Sequence, residues 1–251
     1  MGNPHEVANY YFPIIVVDYV NEKPVTKNVQ GTAFSIGNDF FLTAAHVIEA
    51  FSEYDEVLLG YHNYSTGNYH SVPIEKYEIY SDLDIGIVYA KMERKCKPHT
   101  LRWSEQTLAG LQNVTVFGYP FAFDNSSNTI SRRMFKGYII SETEFTRLPN
   151  NPRCYELSIH CARGISGAAL LSRNLSEVSV RGVVIGTQNV EIEIYKDIEI
   201  EESTNEKTIN SKMETVMYGI AIHSKEIVAI KFDLLGMTLG EYLIKNKLII
   251  K

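Results

Sequence analysis

The chain has 251 residues, of which 45 % are hydrophobic and 22 % are charged, a balance typical of a folded protein and not of a disordered one. A chain of this length favours one large domain or two small coupled domains, and folding buries about 70–75 % of the unfolded surface. The net charge of −6 argues against a general nucleic-acid binder, which normally carries a basic surplus.

Three cysteines are too few, and too odd in number, for a secreted fold held together by disulfides. The N-terminus lacks the basic and apolar stretches of a secretory signal. No apolar run reaches the length of about 18 residues that a membrane-spanning helix needs. We therefore expect a cytoplasmic protein with neither a membrane nor a nucleic acid as partner.

Short strands separated by turn residues account for most of the chain. Residues 11–20 are rich in aromatic and β-branched side chains, which favour a strand. Gly37-Asn38-Asp39 separates the apolar runs 31–36 and 40–43 and predicts a hairpin. Many short strands with few helices indicate a closed barrel or a sandwich. Further strands are predicted at residues 57–61, 71–80, 85–90, 114–117, 135–142, 154–159, 168–171 and 178–186.

Helices are predicted in two parts of the chain. Residues 44–51 form a short helix in the first part. Near the C-terminus, Ser224 precedes a helical stretch at 225–232, and Thr238-Leu-Gly-Glu241 is a capping-box pattern ahead of residues 242–248. We expect these C-terminal helices to pack on the second half of the protein.

Residues 190–214 concentrate the negative charge. They include eight acidic residues and three lysines, so this segment carries −5 of the net −6. Between Val190 and Ile200 the apolar residues occupy even positions and the acidic residues odd ones, which is typical of a two-faced strand. We predict a long acidic hairpin here, the arm, that returns towards Met217. Two roles are open for it: steering basic partners or substrates, or serving as a solvated surface hairpin.

Three short motifs contain the groups needed for hydrolysis by a nucleophilic serine. Residues 43–47 are Thr-Ala-Ala-His-Val, residues 82–88 are Asp-Leu-Asp-Ile-Gly-Ile-Val, and residues 164–168 are Gly-Ile-Ser-Gly-Ala. A serine hydroxyl needs a base such as histidine, and a carboxylate must orient that histidine. In this order, each beside an apolar strand, the motifs resemble those of the chymotrypsin/trypsin-like serine peptidases, in particular the disulfide-poor bacterial and HtrA-like branch. The resemblance covers about residues 11–230.

The resemblance implies an all-β fold of two six-stranded antiparallel β-barrels with C-terminal helices. Residues 1–125 would form the first barrel, which holds the histidine and the aspartate. Residues 126–251 would form the second barrel, which holds the nucleophile, the arm and the C-terminal helices.

The same resemblance assigns the catalytic triad to His46, Asp84 and Ser166. It places the oxyanion hole at the backbone N–H groups of Gly164 and Ser166, where glycine permits the positive φ that turns these groups inward. Asp82 competes with Asp84 for the triad position. We favour Asp84 because the apolar run begins directly after it, which leaves Asp82 as a solvated turn residue.

The sequence departs from trypsins around the nucleophile. Ile165 stands where trypsins have the aspartate that pairs with a newly cut N-terminus, so activation of the trypsin type is not expected. Ala168 and Ala169 replace the usual Gly and Pro and alter the packing behind the serine.

The specificity pocket is also expected to differ from that of trypsin. His160 lies six residues before the serine, where the resemblance places the pocket floor and where trypsins have aspartate. We therefore expect no trypsin-like cleavage after Lys or Arg. Two roles remain open for His160: donating a hydrogen bond to a Gln, Glu or Asp side chain of the substrate, or only packing. Gly186, Thr187 and Gln188 are expected to form the pocket wall.

A zinc site is not expected from Cys154, His160 and Cys161, because no pair of them has the spacing of zinc ligands. We expect no other cofactor. Cys161 is not expected to be a nucleophile, since serine occupies the motif.

The predicted function is a serine endopeptidase that acts on proteins or peptides through an acyl-enzyme. Unrestrained proteolysis in the cytoplasm would be harmful, so narrow specificity and regulation, for example by a protein partner, are expected. The alternatives are a catalytically silent pseudopeptidase that binds peptides and a purely structural or assembly protein.

Overall fold

The computed structural model describes residues 9–63, 68–93, 98–124, 126, 129–174, 177–201 and 206–250. Two large sheets dominate this part of the chain, which confirms the predicted all-β fold class. The strands are β1 (Tyr11–Val20), β2 (Lys23–Gly37), β3 (Phe40–Ala44), β4 (Glu56–Asn63), β5 (Asn68–Pro73), β6 (Lys76–Tyr80), β7 (Ile85–Tyr89), β8 (Arg102–Trp103), β9 (Asn113–Gly118), β10 (Phe123–Asp124), β11 (Thr129–Ile130), β12 (Arg133–Glu144), β13 (Arg153–Leu157), β14 (Ala169–Asn174), β15 (Glu177–Glu201), β16 (Glu206–His223), β17 (Lys231–Phe232) and β18 (Met237–Thr238). The α-helices are α1 (Ala45–Glu49), α2 (Ser224–Ile227) and α3 (Leu239–Lys245), and short 3₁₀ helices span Ala50–Glu53 and Ser81–Leu83.

The first sheet closes through a bend in the chain. Its strand order is β5-β4-β1-β2-β3-β7-β6, so the two terminal strands are also consecutive in sequence. Only Ile74 and Glu75 separate them. The Ile74 N–H donates to Val57 O at 3.3 Å and the Glu75 N–H donates to Tyr89 O at 2.9 Å, so this corner bonds to both ends of the sheet. Counted as one bent strand, β5 and β6 complete a six-stranded ring.

The second sheet closes by hydrogen bonding. Strands β14, β9, β12, β13, β16 and β15 follow one another, and β14 also pairs with β15, which makes a six-stranded ring. The short strand β8 adds to β15 in parallel at Ser179 and Val180. Because β8 and β9 already belong to this sheet, the sheets divide between Tyr89 and Arg102. The predicted domain boundary at residue 125 lies after these two strands.

Three apolar clusters stabilise the part of the chain that the structure describes. One lies inside the first barrel and draws only on residues 12–92, with Phe12, Phe41 and Val88 fully buried. A second lies inside the second barrel around Tyr155 and Leu170. The third contains residues of both halves, so it lies where the barrels meet.

The predicted hairpin at residues 37–39 is confirmed. Asn38 and Asp39 join β2 to β3 with φ of +53° and +62°, the left-handed values of a tight hairpin turn. Helix α3 packs against this turn: the Tyr242 hydroxyl donates to Gly37 O at 2.9 Å, and Asn38 Nδ2 donates to the Tyr242 hydroxyl at 2.9 Å. The last helix therefore bonds to the first barrel and is not confined to the second.

The C-terminal helices begin largely where predicted and end earlier. The capping box is confirmed, since the Glu241 N–H donates to Thr238 Oγ1 and the Thr238 N–H donates to the Glu241 carboxylate. The predicted helix at 225–232 is wrong beyond Ile227. The carbonyls of Val228 and Ile230 accept hydrogen bonds from N–H groups later in the chain, so the chain turns into β17 instead of continuing the helix.

The arm is a two-stranded ribbon, as predicted. Strands β15 and β16 pair continuously from Gly182↔His223 out to Glu201↔Glu206. The predicted alternation of two faces does not continue along the whole arm, because a bulge lies between Glu193 and Tyr195. Because the bulge inserts one residue, even positions before it share a face with odd positions after it.

His223 is a buried histidine that caps α2. Its Nδ1 accepts the N–H of Lys225 at 2.9 Å, its ring lies 4.9 Å from that of Tyr155, and its Nε2 is buried without a hydrogen bond among the described residues. Burial, together with the nearby Arg153, lowers the pKa of His223 from 6.5 to about 4. The folded protein therefore keeps this histidine neutral.

We predict that acid destabilises the protein partly through His223. Between pH 6.5 and about 4, the unfolded chain binds a proton at this histidine that the folded chain does not, so the free energy of unfolding falls as the pH is lowered. The loss is on the order of 3 kcal/mol across that window. His223→Asn retains a capping oxygen but cannot titrate. Chemical denaturation at several pH values should show the wild type losing more stability than the variant below pH 6.5, and parallel losses would contradict the assignment.

Candidate active site

His46 lies in the first turn of α1, directly after β3. Its neighbours Ala45, Val47 and Ile48 are buried, whereas the His46 side chain is 43 % exposed. A Cβ at Gly86 would lie 2.4 Å from Ile48 Cδ1, so the absence of a side chain there lets α1 pack closely on β7. This packing sets the histidine beside the start of β7.

Asp84 stands at the start of β7 and holds the histidine. Asp84 Oδ2 lies 2.8 Å from His46 Nδ1, Asp84 Oδ1 accepts the His46 N–H at 2.9 Å, and the Asp84 carbonyl accepts the Ala45 N–H at 3.0 Å. The first N–H groups of α1 receive no side-chain cap from Ala44, so Asp84 supplies the missing acceptors. With its Nδ1 proton directed at a carboxylate, the histidine keeps Nε2 available as a base.

The backbone of Asp84 makes this double contact possible. Its φ is +53°, a left-handed value that aspartate tolerates better than most residues, and it ends the 3₁₀ helix Ser81–Leu83. The rival candidate, Asp82, is exposed within that 3₁₀ helix and makes no hydrogen bond to His46 in the described structure. Geometry therefore favours Asp84 as the partner of the histidine.

Ser166 belongs to a tight loop that leads into β14. The Gly167 N–H donates to Val184 O at 2.7 Å, and the Val184 N–H donates to Ala168 O at 2.9 Å, which fastens the loop to β15. Gly164 and Gly167 have φ of +98° and +86°, values that other residues rarely adopt. Ser166 itself is half-buried.

Thr32 of the first barrel holds this loop. The Thr32 N–H donates to Ser166 O at 2.9 Å, and Thr32 Oγ1 donates to Gly164 O at 2.7 Å. The same Oγ1 accepts the Tyr119 N–H at 3.1 Å, and Thr43 Oγ1 donates to Thr32 O at 2.8 Å. Thr32 and Thr43 are fully buried, so these bonds form away from water.

Two glycines let the nucleophile loop approach the histidine strand. A Cβ at Gly167 would lie 2.2 Å from both Thr32 O and Thr43 Oγ1 and 2.9 Å from the N of Ala44. A Cβ at Gly31 would lie 2.6 Å from a methyl group of Val47 and 3.1 Å from Ser166 O. The loop thus packs against the end of β3, two residues before His46.

The predicted oxyanion-hole donors are the N–H groups of Gly164 and Ser166. Within the described chain, neither the Gly164 N–H nor the Ser166 N–H donates to a backbone acceptor, whereas the Gly167 N–H does. No hydrogen bond joins His46 to Ser166 in the described residues. Such bonds often tighten only when substrate binds.

Cys161 lies inside the second barrel and not in the reactive position. It is 7 % exposed, and a Cβ at Gly219 would lie 2.5 Å from its Sγ. Burial raises the pKa of the Cys161 thiol to about 12, so it remains protonated at neutral pH.

The four predicted pocket residues lie on two segments, the loop before the nucleophile and β15. His160 is exposed and lines a cavity of about 370 Å³ together with Arg133, Lys136 and Phe135. Gly186, Thr187 and Gln188 are not among its described lining residues. Thr187 Oγ1 instead donates to Cys161 O at 2.8 Å, which ties β15 to the loop before the nucleophile.

The described residues contain no group of three or more His, Cys, Asp or Glu side chains placed to bind a metal ion. No helix in the described part of the chain combines the length and apolarity needed to cross a membrane.

A sequence profile of the trypsin-like peptidase domain matches residues 31–180, which contain both the His46–Asp84 pair and Ser166. The chain belongs to the trypsin-like peptidase family. It is a trypsin-like serine protease, hence a hydrolase, as the motifs predicted. No curated protein sequence matches the chain.

Solved proteases share the fold of this trypsin-like peptidase. The active form of Rv3671c protease from M. tuberculosis is 17 % identical and has a TM-score of 0.56, covering 90 % of this chain and 81 % of that one. The MamO protease domain from Magnetospirillum magneticum is 13 % identical, with a TM-score of 0.57 over 91 % of this chain and 99 % of that one. The HtrA-type protease AlgW with a decapeptide is 12 % identical, with a TM-score of 0.57 over 87 % of this chain and 62 % of that one.

Sequence analysis did not identify Thr32 and Thr43 as parts of the site. Both are hydroxyl residues within largely apolar strand runs. A buried hydroxyl must be hydrogen-bonded, so a polar residue in such a run is the signal that could have identified them.

We predict that the Thr32 hydroxyl is needed to position the nucleophile loop. Thr32→Val leaves Gly164 O and the Tyr119 N–H without their partner in a buried place, which should lower the free energy of unfolding by about 1–3 kcal/mol. A displaced nucleophile should also lower kcat/KM by about 10- to 100-fold. Thr32→Ser keeps the hydroxyl and is the matched control. Equal activity of the valine and serine variants would contradict this role.

Proposed function

We propose that this trypsin-like protease cleaves peptide bonds through a triad of His46, Asp84 and Ser166. The observation that carries the proposal is the Asp84–His46 pair at 2.8 Å, set beside a nucleophile loop that Thr32 fixes to the same barrel. Membership of the family implies protein or peptide substrates.

The first half of the reaction forms an acyl-enzyme. His46 Nε2 takes the proton of Ser166 Oγ while that oxygen attacks the carbonyl carbon of the substrate. The N–H groups of Gly164 and Ser166 bind the resulting oxyanion, and each such donor contributes about 3–4 kcal/mol of barrier reduction. His46 then returns the proton to the leaving amine, and the C–N bond breaks.

The second half repeats these steps with water. His46 takes a proton from the water molecule as it attacks the ester carbon, and gives that proton to Ser166 Oγ when the acid product leaves. Asp84 stays ionised throughout and stabilises the imidazolium that forms in both halves.

The specificity that we propose excludes trypsin-like cleavage after Lys or Arg. The cavity beside His160 is also lined by the basic residues Arg133 and Lys136 and by Ala162, which lies two residues before Gly164. Such a lining disfavours a basic side chain of the substrate and favours a Gln, Glu or Asp side chain at the cleavage site. We also propose that the protease has narrow specificity and that a partner protein controls its activity.

The proposed cytoplasmic location stays a prediction. Cys154 and Cys161 are free and buried, the state expected in a reducing compartment. Cys96 lies outside the described residues.

We predict that a fluorophosphonate probe labels Ser166. Ser166→Ala should abolish labelling, and Asp84→Asn should slow it by about 10⁴-fold because the histidine loses its fixed tautomer. Asp82→Asn is the matched control, since this exposed carboxylate lies two residues away, and it should label like the wild type. Labelling is measured by gel fluorescence and mass spectrometry. A wild type that never labels would instead favour a silent, peptide-binding pseudopeptidase.

We predict that a peptide library reveals cleavage after Glu, Asp or Gln in preference to Lys or Arg. His160→Phe should lower kcat/KM for the preferred substrate by about tenfold, the value of one hydrogen bond. His160→Gln keeps a hydrogen-bond donor, so its kcat/KM for the preferred substrate should fall less than that of His160→Phe. Neither variant should change the labelling rate of Ser166. Preferred cleavage after Lys or Arg would overturn this specificity.

A further inference from the structure

A cavity of about 900 Å³ lies beside the last helix, and its described lining contains no residue of the active site. Its apolar part is open to solvent, since Ile244 of α3 is 65 % exposed. The lining of this C-terminal cavity includes three isoleucines and three cationic residues: Ile244, Ile249, Ile250, Arg102, Lys225 and Lys247. A concave surface that is both apolar and cationic fits a partner that is both apolar and acidic.

The positive charge of the C-terminal cavity is only partly neutralised within the protein. Arg102 pairs with Glu177 at 2.6 Å, and Glu105 also belongs to the lining. Lys225 and Lys247 are exposed and form no ion pair among the residues that the structure describes. These two lysines are therefore available to pair with carboxylates from outside.

A buried arginine adds to the positive charge at this wall. Arg181 is 3 % exposed and has no carboxylate partner within the described chain. Its Nη1 donates to Ser104 Oγ at 2.7 Å and to Gln106 O at 3.1 Å, and Gln106 lines the cavity. A buried cation without a counter-charge costs free energy, so an acidic partner in the cavity would lower that cost.

The C-terminal cavity lies at the start of β15, whereas the arm is the far end of the same strand. Ser179 of β15 pairs with Arg102 of β8, and the Ile250 N–H donates to Trp103 O on the other side of β8 at 2.7 Å. From Ser179 to Ile192, β15 extends by about 40 Å at about 3.3 Å per residue. A ribbon of two paired strands cannot fold back over that length, so the arm reaches such a cavity only on another molecule.

The arm presents the side chains that complement this cavity. Ile192 and Tyr195 are 43 % and 55 % exposed. Ile192 pairs with Glu214, so their side chains share a face, and the bulge brings Tyr195 to that face as well. One face of the arm thus combines apolar groups with a carboxylate, within a segment of charge −5.

We propose that the arm of one molecule docks in the C-terminal cavity of a second copy. Two copies that lie side by side in opposite directions place each arm at the other's cavity, and this two-fold symmetry closes the assembly at a dimer. Outside the arm the chain carries only −1, so little repulsion opposes the approach. The inference goes beyond the proposed function, because docking requires no catalysis.

The first experiment measures self-association by sedimentation velocity. The full chain with Ser166→Ala is used, which prevents self-cleavage. We expect a monomer–dimer equilibrium whose Kd rises more than tenfold between about 0.05 M and about 0.5 M salt, because salt screens the contacts between the lysines and the carboxylates. A protein that stays monomeric up to about 100 μM, or a dimer indifferent to salt, would overturn the proposal.

The second experiment reverses charge on each surface separately. The arm variant carries Glu191→Lys, Glu193→Lys and Glu214→Lys, and the cavity variant carries Lys225→Glu and Lys247→Glu. Each variant alone places like charges at both contacts of the dimer, so its Kd should rise more than tenfold. A Kd unchanged by either variant would overturn the proposal.

Matched control variants make the same changes of net charge at exposed residues elsewhere. One control replaces three glutamates by lysine and the other replaces two lysines by glutamate; the positions are Glu22, Glu53, Glu144, Lys76 and Lys91. Both controls should dimerise with the wild-type Kd. Losses equal to those of the arm and cavity variants would show that only net charge matters, against the proposal.

Mixing the arm variant with the cavity variant is the decisive test. In the mixed dimer, the unchanged arm meets the unchanged cavity, and the reversed arm meets the reversed cavity, so both contacts again join opposite charges. Two variants that are monomeric alone should therefore form a heterodimer with a Kd within about threefold of the wild type, which also shows that both are folded. Variants that keep the wild-type circular dichroism and melting temperature but do not associate when mixed would overturn the proposal. If a reversed variant does not fold, Gln at the same positions replaces it, and a Kd that does not rise would overturn the proposal equally.

Discussion

The contact between Thr32 and the nucleophile loop is the constraint on which the active site depends. The histidine and the aspartate belong to one barrel and the serine to the other, so their separation depends on how the barrels register against each other. Thr32 fixes that register with backbone and side chain at once, through Ser166 O, Gly164 O and the Tyr119 N–H. Because the residue is fully buried, every one of these groups would lose its partner if the barrels shifted. The apolar cluster shared by the two halves supplies the attraction, and the threonine supplies the alignment.

The His46–Asp84 pair shows how a catalytic arrangement can follow from the needs of the backbone. A helix that begins without a cap leaves N–H groups unpaired, and Asp84 satisfies those of Ala45 and His46. The carboxylate that completes the helix start is the one that orients the imidazole, so structure and chemistry impose the same requirement on one residue. Its left-handed φ adds a further restriction, since few side chains adopt that conformation and also reach the ring.

Much of this arrangement could be predicted from the sequence, because the signals are local. Alternating and β-branched runs indicated the strands, Gly37-Asn38-Asp39 indicated its hairpin, and the three motifs indicated the family. The remainder depends on contacts between distant segments. The bulge at Glu193 leaves no mark in an alternating pattern. The early end of α2 results from carbonyls that accept bonds from residues nine and twelve positions later, and Thr32 acquires its role only when the second barrel is beside it. The contacts of the predicted pocket residues also depend on distant segments, since His160 lines a cavity with Arg133 and Lys136 and Thr187 donates to Cys161 O.

The self-contained core of the first barrel has a consequence for how the enzyme is made. That cluster draws only on residues 12–92, and domains generally fold as units during synthesis, beginning with the N-terminal one. A nascent chain can therefore assemble the His46–Asp84 pair while Ser166 is still unsynthesised. The nucleophile loop also needs the carbonyl of Val184 to hold Gly167, so a chain that ends before that residue has the serine but not its fixed position. A fixed nucleophile loop therefore requires synthesis at least as far as Val184, which lies well beyond the segment that forms the core of the first barrel.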